Sequence, residues 1–364
     1  VSPFPDRIVA TYRLSVPEAD AESRALAIAT EQSVEMPLDA IDDPHVRSEI
    51  VARVVQVRAA GDAFEADIAI STQTTGHEPG QLINMVFGNC SLMPEVQLVG
   101  LAFPPGFVQG FGGPRFGIAG LRAATGAIDR PLTCTALKPQ GSPLAHLVHL
   151  ARTFALAGLD LVKDDHGLAN QAFSPFAQRV PAVQRAVDEA NRATGGRTLY
   201  APTLSGAPAA LAEQLRIARD CGVRAALVSP MVVGLPVFAE LARTAGMPLL
   251  AHPAFGGAAR IAPVVLFGQL FRLFGADATI FTNYAGRFHY PREVCLAIAD
   301  AARRPWDGLA ATMPVPAGGM TLDRVAEMRA DYGDDVMLLI GGNLLEAGAR
   351  LLERSRAFAR AVAG

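Results

Sequence analysis

Of the 32 lysine and arginine residues in this 364-residue chain, only Lys138 and Lys163 are lysines; the other 30 are arginines. A guanidinium stays protonated and works as a planar fork, whereas an amine can lose its proton and serve as base or nucleophile. A chain that meets nearly every other need for positive charge with arginine is expected to use these two amines chemically. Lys163 stands in GLDLVKDDHG (158–167). In an extended segment alternate side chains share a side, so Lys163 and Asp165 face together and His166 follows at the bend. Carboxylate oxygens and an imidazole there can hold a divalent ion such as Mg2+, with positions left for substrate and water. An ammonium cannot ligate, but a neutral amine adds CO2, and the resulting lysine carbamate is an anionic oxygen donor for a hard cation. A KDDH run also suits a solvated face, yet such a face has no need of the scarce amine.

The remaining polar residues with chemical promise close other apolar runs. His252 ends PLLAHPAF, Gly318-Gly319 end AATMPVPAGG, and Gly341-Gly342-Asn343 end VMLLIGGN. Paired glycines let backbone N–H groups approach an anion closely, and a following helix N-terminus adds a favourable field, so a phosphate pocket is expected at these loops. Taken singly, a Gly-Gly pair is more often a turn and His252 a satisfied core histidine. His146 and His149 read as packing or surface residues, and His45, His77 and His289 carry no signal. The carboxylate dyad of a glycosidase is absent.

These residues need a scaffold that collects strand ends. From about residue 128 onward, short apolar or β-branched runs alternate with longer segments of helical period, in the manner of βα units. The runs are 133–139, 158–165, 198–204, 225–231, 248–255, 278–284, 310–319 and 336–343. Eight alternations at this length predict a closed (β/α)8 TIM barrel over residues 128–364, whose strand C-termini carry the site. Residues 1–127 read instead as strand, helix, two strands, helix and strand, the βαββαβ order of a ferredoxin-like α+β domain. The segment FPPGFVQGFGGPRFG reads as a linker.

A formal net charge of −3 and no dense basic run exclude a nucleic-acid surface. No apolar run of about 18 residues or secretory leader occurs, so no membrane is expected and a cytoplasmic protein is. The sequence starts at Val1 rather than Met, and a natural start upstream is expected. Cys90, Cys134, Cys221 and Cys295 lack CxxC spacing and read as reduced packing residues.

With these motifs in order, the sequence resembles the large subunit of RuBisCO, and more closely the RuBisCO-like proteins. PLTCTALKP resembles the family's first-strand lysine motif, and GLDLVKDDHGLANQAF its metal motif. INMVFGN resembles the N-domain segment ending in a substrate-contacting Asn, and FPPGFVQGFGGPRFGI the inter-domain motif. The resemblance implies a carbamylated Lys163, metal ligation by Lys163, Asp165 and His166, and acid/base work by Lys138. It implies that His252 contacts substrate, that Gly318, Gly319, Gly341 and Gly342 hold phosphate, and that Glu31 and Asn89 reach the site of a second subunit in a homodimer. Arg287, standing where the family has a mobile-loop Lys, would grip a substrate carboxylate or pair with Glu31.

Departures from the family pattern narrow the chemistry. His166 replaces a metal-binding Glu, Gln140 a second Lys, Ile280 a substrate-binding His, Pro253 a phosphate-binding Arg and Ala317 a Ser, while Met36-Pro37 replace a Thr-Trp pair. The loss of ligand groups at Ile280 and Pro253 disfavours a bisphosphate, and losing the loop Lys disfavours CO2 fixation. What remains implies enolisation of a monophosphorylated ketose or 3-oxo sugar acid. Its outcome is isomerisation, tautomerisation, decarboxylation, transcarboxylation or hydrolytic C–C cleavage. The alternatives are a methylthio-sugar phosphate enolase or isomerase, a true carboxylase, and a non-catalytic regulatory homologue.

Overall fold

Two sheets organise the chain. The computed structural model describes residues 1–364 apart from Arg287 and His289, so the expected role of Arg287 lies outside the described residues. The first sheet contains β1 (Arg7–Leu14), β2 (Arg53–Ala60), β3 (Ala63–Ser71) and β4 (Val96–Ala102), in the antiparallel order β2-β3-β1-β4. The alternation of β1 buries Ile8, Ala10, Tyr12 and Leu14 against Ala25 and Ile28 of helix Glu18–Glu31 and Leu82 and Val86 of helix Pro79–Phe87. The Tyr12 hydroxyl, buried with them, donates to the Val86 carbonyl at 2.5 Å. This is the βαββαβ order expected from sequence.

The second sheet is a ring of parallel strands: β5 (Leu132–Leu137), β6 (Leu161–Asp164), β7 (Leu199–Ala201), β8 (Thr203–Leu204), β9 (Ala226–Val228), β10 (Leu249–Ala251), β11 (Ala278–Thr282), β12 (Met313–Ala317) and β13 (Met337–Leu339). β7 pairs with β6 and β8 with β9, so these two short pieces form one barrel strand broken at Pro202. Proline has no N–H for the ladder, although its carbonyl still accepts from Leu227 at 2.9 Å. Eight strands thus close the expected (β/α)8 barrel. Its interior is packed by Leu132, Cys134, Leu161, Leu199, Leu227, Leu250, Ile280, Val315 and Leu339, while the alternate residues Val162, Tyr200 and Val228 join the outer core beneath the helices.

Several strands are shorter than the apolar runs. The run 225–231 stops at Val228 because Pro230 opens the helical turn Pro230–Val233. The 103–117 segment is no loose linker. Phe107 and Phe111 pack on His77, Phe103 on Trp306, and Phe111 on Phe274. The buried Asp277 carboxylate accepts from the N–H groups of Phe116 and Gly117, each at 2.7 Å, and from that of Leu249 at 2.9 Å. A second tie joins β4 to the barrel: Leu98 N–H donates to Arg260 O at 3.0 Å, and Ala262 N–H to Leu98 O at 2.8 Å. All four cysteines are free. Among the described residues, no helix is long and apolar enough to cross a membrane.

Candidate active site

The site grows from the end of β6. Residues 161–164 alternate between barrel interior and exterior, so Lys163 points inward and Asp164 outward. Asp164 is fully buried and salt-bridged to the equally buried Arg179 at 3.1 Å; it also accepts from Tyr200 Oη at 2.8 Å and Thr203 N–H at 3.2 Å. Burial still raises its pKa against these favourable partners. Arg179 donates further to the carbonyls of Ser174 and Ala169 at 2.6 and 2.8 Å, which fixes the loop after β6 to the next helix. With Asp164 pinned outside, Lys163 and Asp165 turn to the mouth.

Lys163 is only 3% exposed, and its Nζ donates to the Asp164 carbonyl at 3.1 Å. Burial lowers its pKa. Lys138, just beyond β5, places Nζ 2.5 Å from Asp165 Oδ1, and His166 Nδ1 lies 3.6 Å from the same oxygen. Burial alone would raise Asp165, but hydrogen bonds from His166 and Lys138, with the Lys163 charge, hold its carboxyl well below the usual carboxylate range. The His166 and His252 rings stack at 4.3 Å with an 8° interplanar angle. Burial, then the charge of Lys163, holds the His252 imidazole down to about 2. Four of the expected residues, Lys138, Lys163, Asp165 and His166, therefore meet at one strand end, and His252 joins them from β10. A cavity of about 650 Å³ opens beside Lys138 between helix Leu144–Leu156 and the 345–352 segment, with the exposed His146 and His149 on its wall.

The glycine loops sit on the same rim, after β12 and β13. Gly318 and Gly319 have φ of +85° and +65°, and a Cβ on Gly319 would lie 2.6 Å from Gly286 Cα. Gly341 and Gly342 border open space. The helix expected after the eighth strand is only the four-residue turn Gly342–Leu345, because Gly348 breaks the segment before helix Leu351–Ala363. The expected helix field is therefore small. Asn89 is exposed on the N-terminal domain, where its amide donates to Glu31 at 2.8 Å and Glu35 at 3.3 Å. Among the described residues, this pair forms no hydrogen bond or ion pair with the lysines of its own barrel mouth.

Ile280 lies inside the barrel, 2% exposed, where no polar group is available for a ligand. Gln140 packs its amide against Gly167, closing one side of the loop that carries His166. Sequence reasoning missed Arg179 and Tyr200, although an arginine amid the buried face of an amphipathic helix was a usable signal. It also missed Phe255, which is 68% exposed yet holds φ +65°, three residues past His252. Among the described residues, no cluster of three His, Cys, Asp or Glu side chains is placed to hold a metal ion. The lysine amine counts toward such a site only after it becomes a carbamate.

With this geometry in place, similarities to known proteins become informative. The chain is 54% identical over 362 residues to 5-methylthioribulose-1-phosphate isomerase of Rhodospirillum rubrum, covering 99% of this chain and 97% of that protein. It is 33% identical over 361 residues to 2,3-diketo-5-methylthiopentyl-1-phosphate enolase of Geobacillus thermodenitrificans, covering 93% and 87%. The crystal structure of a Rubisco-like protein from Rhodopseudomonas palustris superposes with a TM-score of 0.92 at 50% identity, covering 99% and 98%. Residues 117–347 match the model of the ribulose bisphosphate carboxylase large chain, catalytic domain, and the chain belongs to that family as a RuBisCO-like protein.

Proposed function

We propose that this protein enolises a monophosphorylated ketose without fixing CO2, and that its substrate is a 5-methylthio sugar phosphate that it isomerises. The observation that carries the reading is the Lys138 amine 2.5 Å from Asp165, on the strand end that also carries the buried Lys163. The 54% identity over nearly the whole chain to a 5-methylthioribulose-1-phosphate isomerase favours this substrate over a 3-oxo sugar acid.

The donor set suits a divalent ion. Asp165 is an ionised carboxylate, His166 Nδ1 lies beside it, and burial prepares the Lys163 amine to become a carbamate. Such an ion, held by Lys163, Asp165 and His166, would supply positive charge to adjacent substrate oxygens. Lys138 is ion-paired with Asp165, so it acts as the base only when that contact opens. Its amine then takes the proton from the carbon beside the carbonyl, the C–H electrons form the C=C bond, and the carbonyl oxygen takes the charge. Returning the proton to the former carbonyl carbon, while the proton of the neighbouring hydroxyl passes to the charged oxygen, completes an isomerisation. Gly318, Gly319, Gly341 and Gly342 would bind the single phosphate through backbone N–H groups, and Glu31 and Asn89 would complete the site of a second subunit.

The test is deuterium wash-in from D2O into 5-methylthioribulose 1-phosphate, followed by proton NMR. Wild type is expected to exchange the carbon-bound proton and Lys138→Met to leave it intact. Exchange by Lys138→Met at the wild-type rate removes the base assignment. No exchange by wild type with any monophosphate ketose removes the reading itself.

A further inference from the structure

We infer that Arg324 is a positioning residue for the phosphate: it holds the Gly319 carbonyl turned aside, so that the turn after β12 meets the anion with backbone N–H groups and no competing oxygen. The inference rests on the proposed phosphate at the glycine loops, whereas the grip of Arg324 on the turn stands on geometry alone.

The turn itself is hard to order. Gly318 and Gly319 take left-handed φ in succession, and glycine loses more conformational freedom on being fixed than any other residue. Among the described residues, the N–H groups of Gly319 and Met320 meet no hydrogen-bond acceptor, so they remain open to a ligand. Arg324 supplies the missing constraint: its Nη1 donates to the Gly319 carbonyl at 3.1 Å. In a trans peptide the carbonyl and the following N–H point opposite ways, so this bond aims the Met320 N–H away from Arg324.

The guanidinium is itself held on three sides. Its Nε and Nη2 fork onto Glu327 at 2.9 and 3.0 Å, and its central carbon sits over the Tyr284 ring, 5.0 Å from the centroid. Tyr284 is anchored by helix Val325–Tyr332, its hydroxyl lying 2.8 Å from Glu327 and 2.5 Å from Asp331, and Arg292 closes the cluster on Asp331. The same helix reaches the far side of the turn. Tyr332 Oη donates to Asn283 Oδ1 at 2.7 Å, and the Asn283 amide lies 3.4 Å from the Met320 sulfur. With its charge balanced by Glu327, Arg324 acts on the anion through the shape of the turn. A turn already in its binding shape spares the ligand the cost of ordering it. Without Arg324 the Gly319 peptide is free to rotate, and a carbonyl turned toward phosphate repels it. The effect falls on binding and leaves proton transfer alone.

Inorganic phosphate is the probe, titrated by calorimetry and used as an inhibitor in the deuterium assay. Arg324→Met is expected to raise both the phosphate Kd and the substrate KM about tenfold. Its kcat is expected to stay within about twofold of wild type. Glu327→Gln, which releases the fork on Arg324, is expected to weaken phosphate about threefold and to add nothing further in the double variant with Arg324→Met. Tighter phosphate binding by Glu327→Gln assigns the Arg324 charge to the anion directly and overturns the inference. Wild-type phosphate affinity in Arg324→Met, or a fall in kcat at unchanged KM, overturns it too. Should Arg324→Met fail to fold, Glu327→Gln decides alone: weaker phosphate binding supports the inference, and equal or tighter binding overturns it. Wild type that exchanges substrate but binds no phosphate removes the phosphate site and the role of Arg324 with it. Wild type that binds phosphate but exchanges no substrate removes the enolisation reading, and the titrations still decide for Arg324.

Discussion

The end of β6 and the glycine loops after β12 and β13 share one barrel rim but are built by opposite means. At β6, side chains do the work: a buried Asp164–Arg179 pair outside the barrel sets which residues face inside. At the glycine loops nearly everything is backbone, and the local shape depends on φ values near +85° and +65° and on glycine-to-glycine contact with Gly286. On the proposed function, the first arrangement fixes where a proton moves and the second makes room for an anion. The chemistry would then lie in a cross-linked corner and the general affinity in a permissive one.

The comparison breaks most readily at the proposed base. Lys138→Met is expected to lower exchange by about 10³-fold, measured by deuterium wash-in, because general-base catalysis typically contributes 10² to 10⁴. Next is the support behind β6. Asp164→Asn leaves the buried Arg179 charge without its partner and is expected to cost about 3–5 kcal/mol in urea unfolding. A smaller loss would mean that the carbonyls around Arg179 already satisfy it. The glycine loops separate more finely. Gly319→Ala forces a Cβ against Gly286 at a left-handed φ and is expected to cost about 1–3 kcal/mol and to raise KM. Gly341→Ala, at a negative φ with open space beside it, is expected to cost less than Gly319→Ala. Equal effects at the two positions would erase the distinction between a packed and an open loop.

A separate effect concerns acid. His252 is held down to about 2 in the folded protein against 6.5 for a free imidazole. Between these values the unfolded chain binds a proton that the folded ring refuses, so stability falls as pH drops. The contribution is fully present above about 6.5 and declines by roughly 1.4 kcal/mol per pH unit below it. Urea titrations of wild type and His252→Gln between about pH 6.5 and pH 5 should differ in slope by this amount. Parallel slopes would place the ring in contact with water.

Much of this was legible in the sequence because it is local. Strand periodicity put Lys163 and Asp165 on one side without any tertiary knowledge, and eight apolar runs announced the barrel. The break at Pro202 was visible as a residue but not as a seam, since whether a proline ends a strand or interrupts it depends on which neighbours pair with the pieces. The His166–His252 stack was not legible because it joins residues brought together by closure of the ring, whereas Arg179 left a signal on the next helix and only its partner was hidden. The helix after β13 was overestimated: the Gly-Gly-Asn signal is real, but Gly348 stops the helix before a dipole can build. The 103–117 segment misled for a similar reason. Its glycines and prolines suggested slack, while its phenylalanines, which decide its packing, look ordinary in sequence.

That segment has a mechanical consequence. One buried carboxylate, Asp277, holds both the N-terminal end of helix Gly117–Thr125 and the start of β10, and β4 is bonded directly to the Arg260–Ala262 stretch of the barrel. A chain tethered at two separated points has no free hinge between its halves. Opening or closing over the barrel mouth must then come from short surface loops, and a change at Asp277 would loosen the entire body rather than one joint.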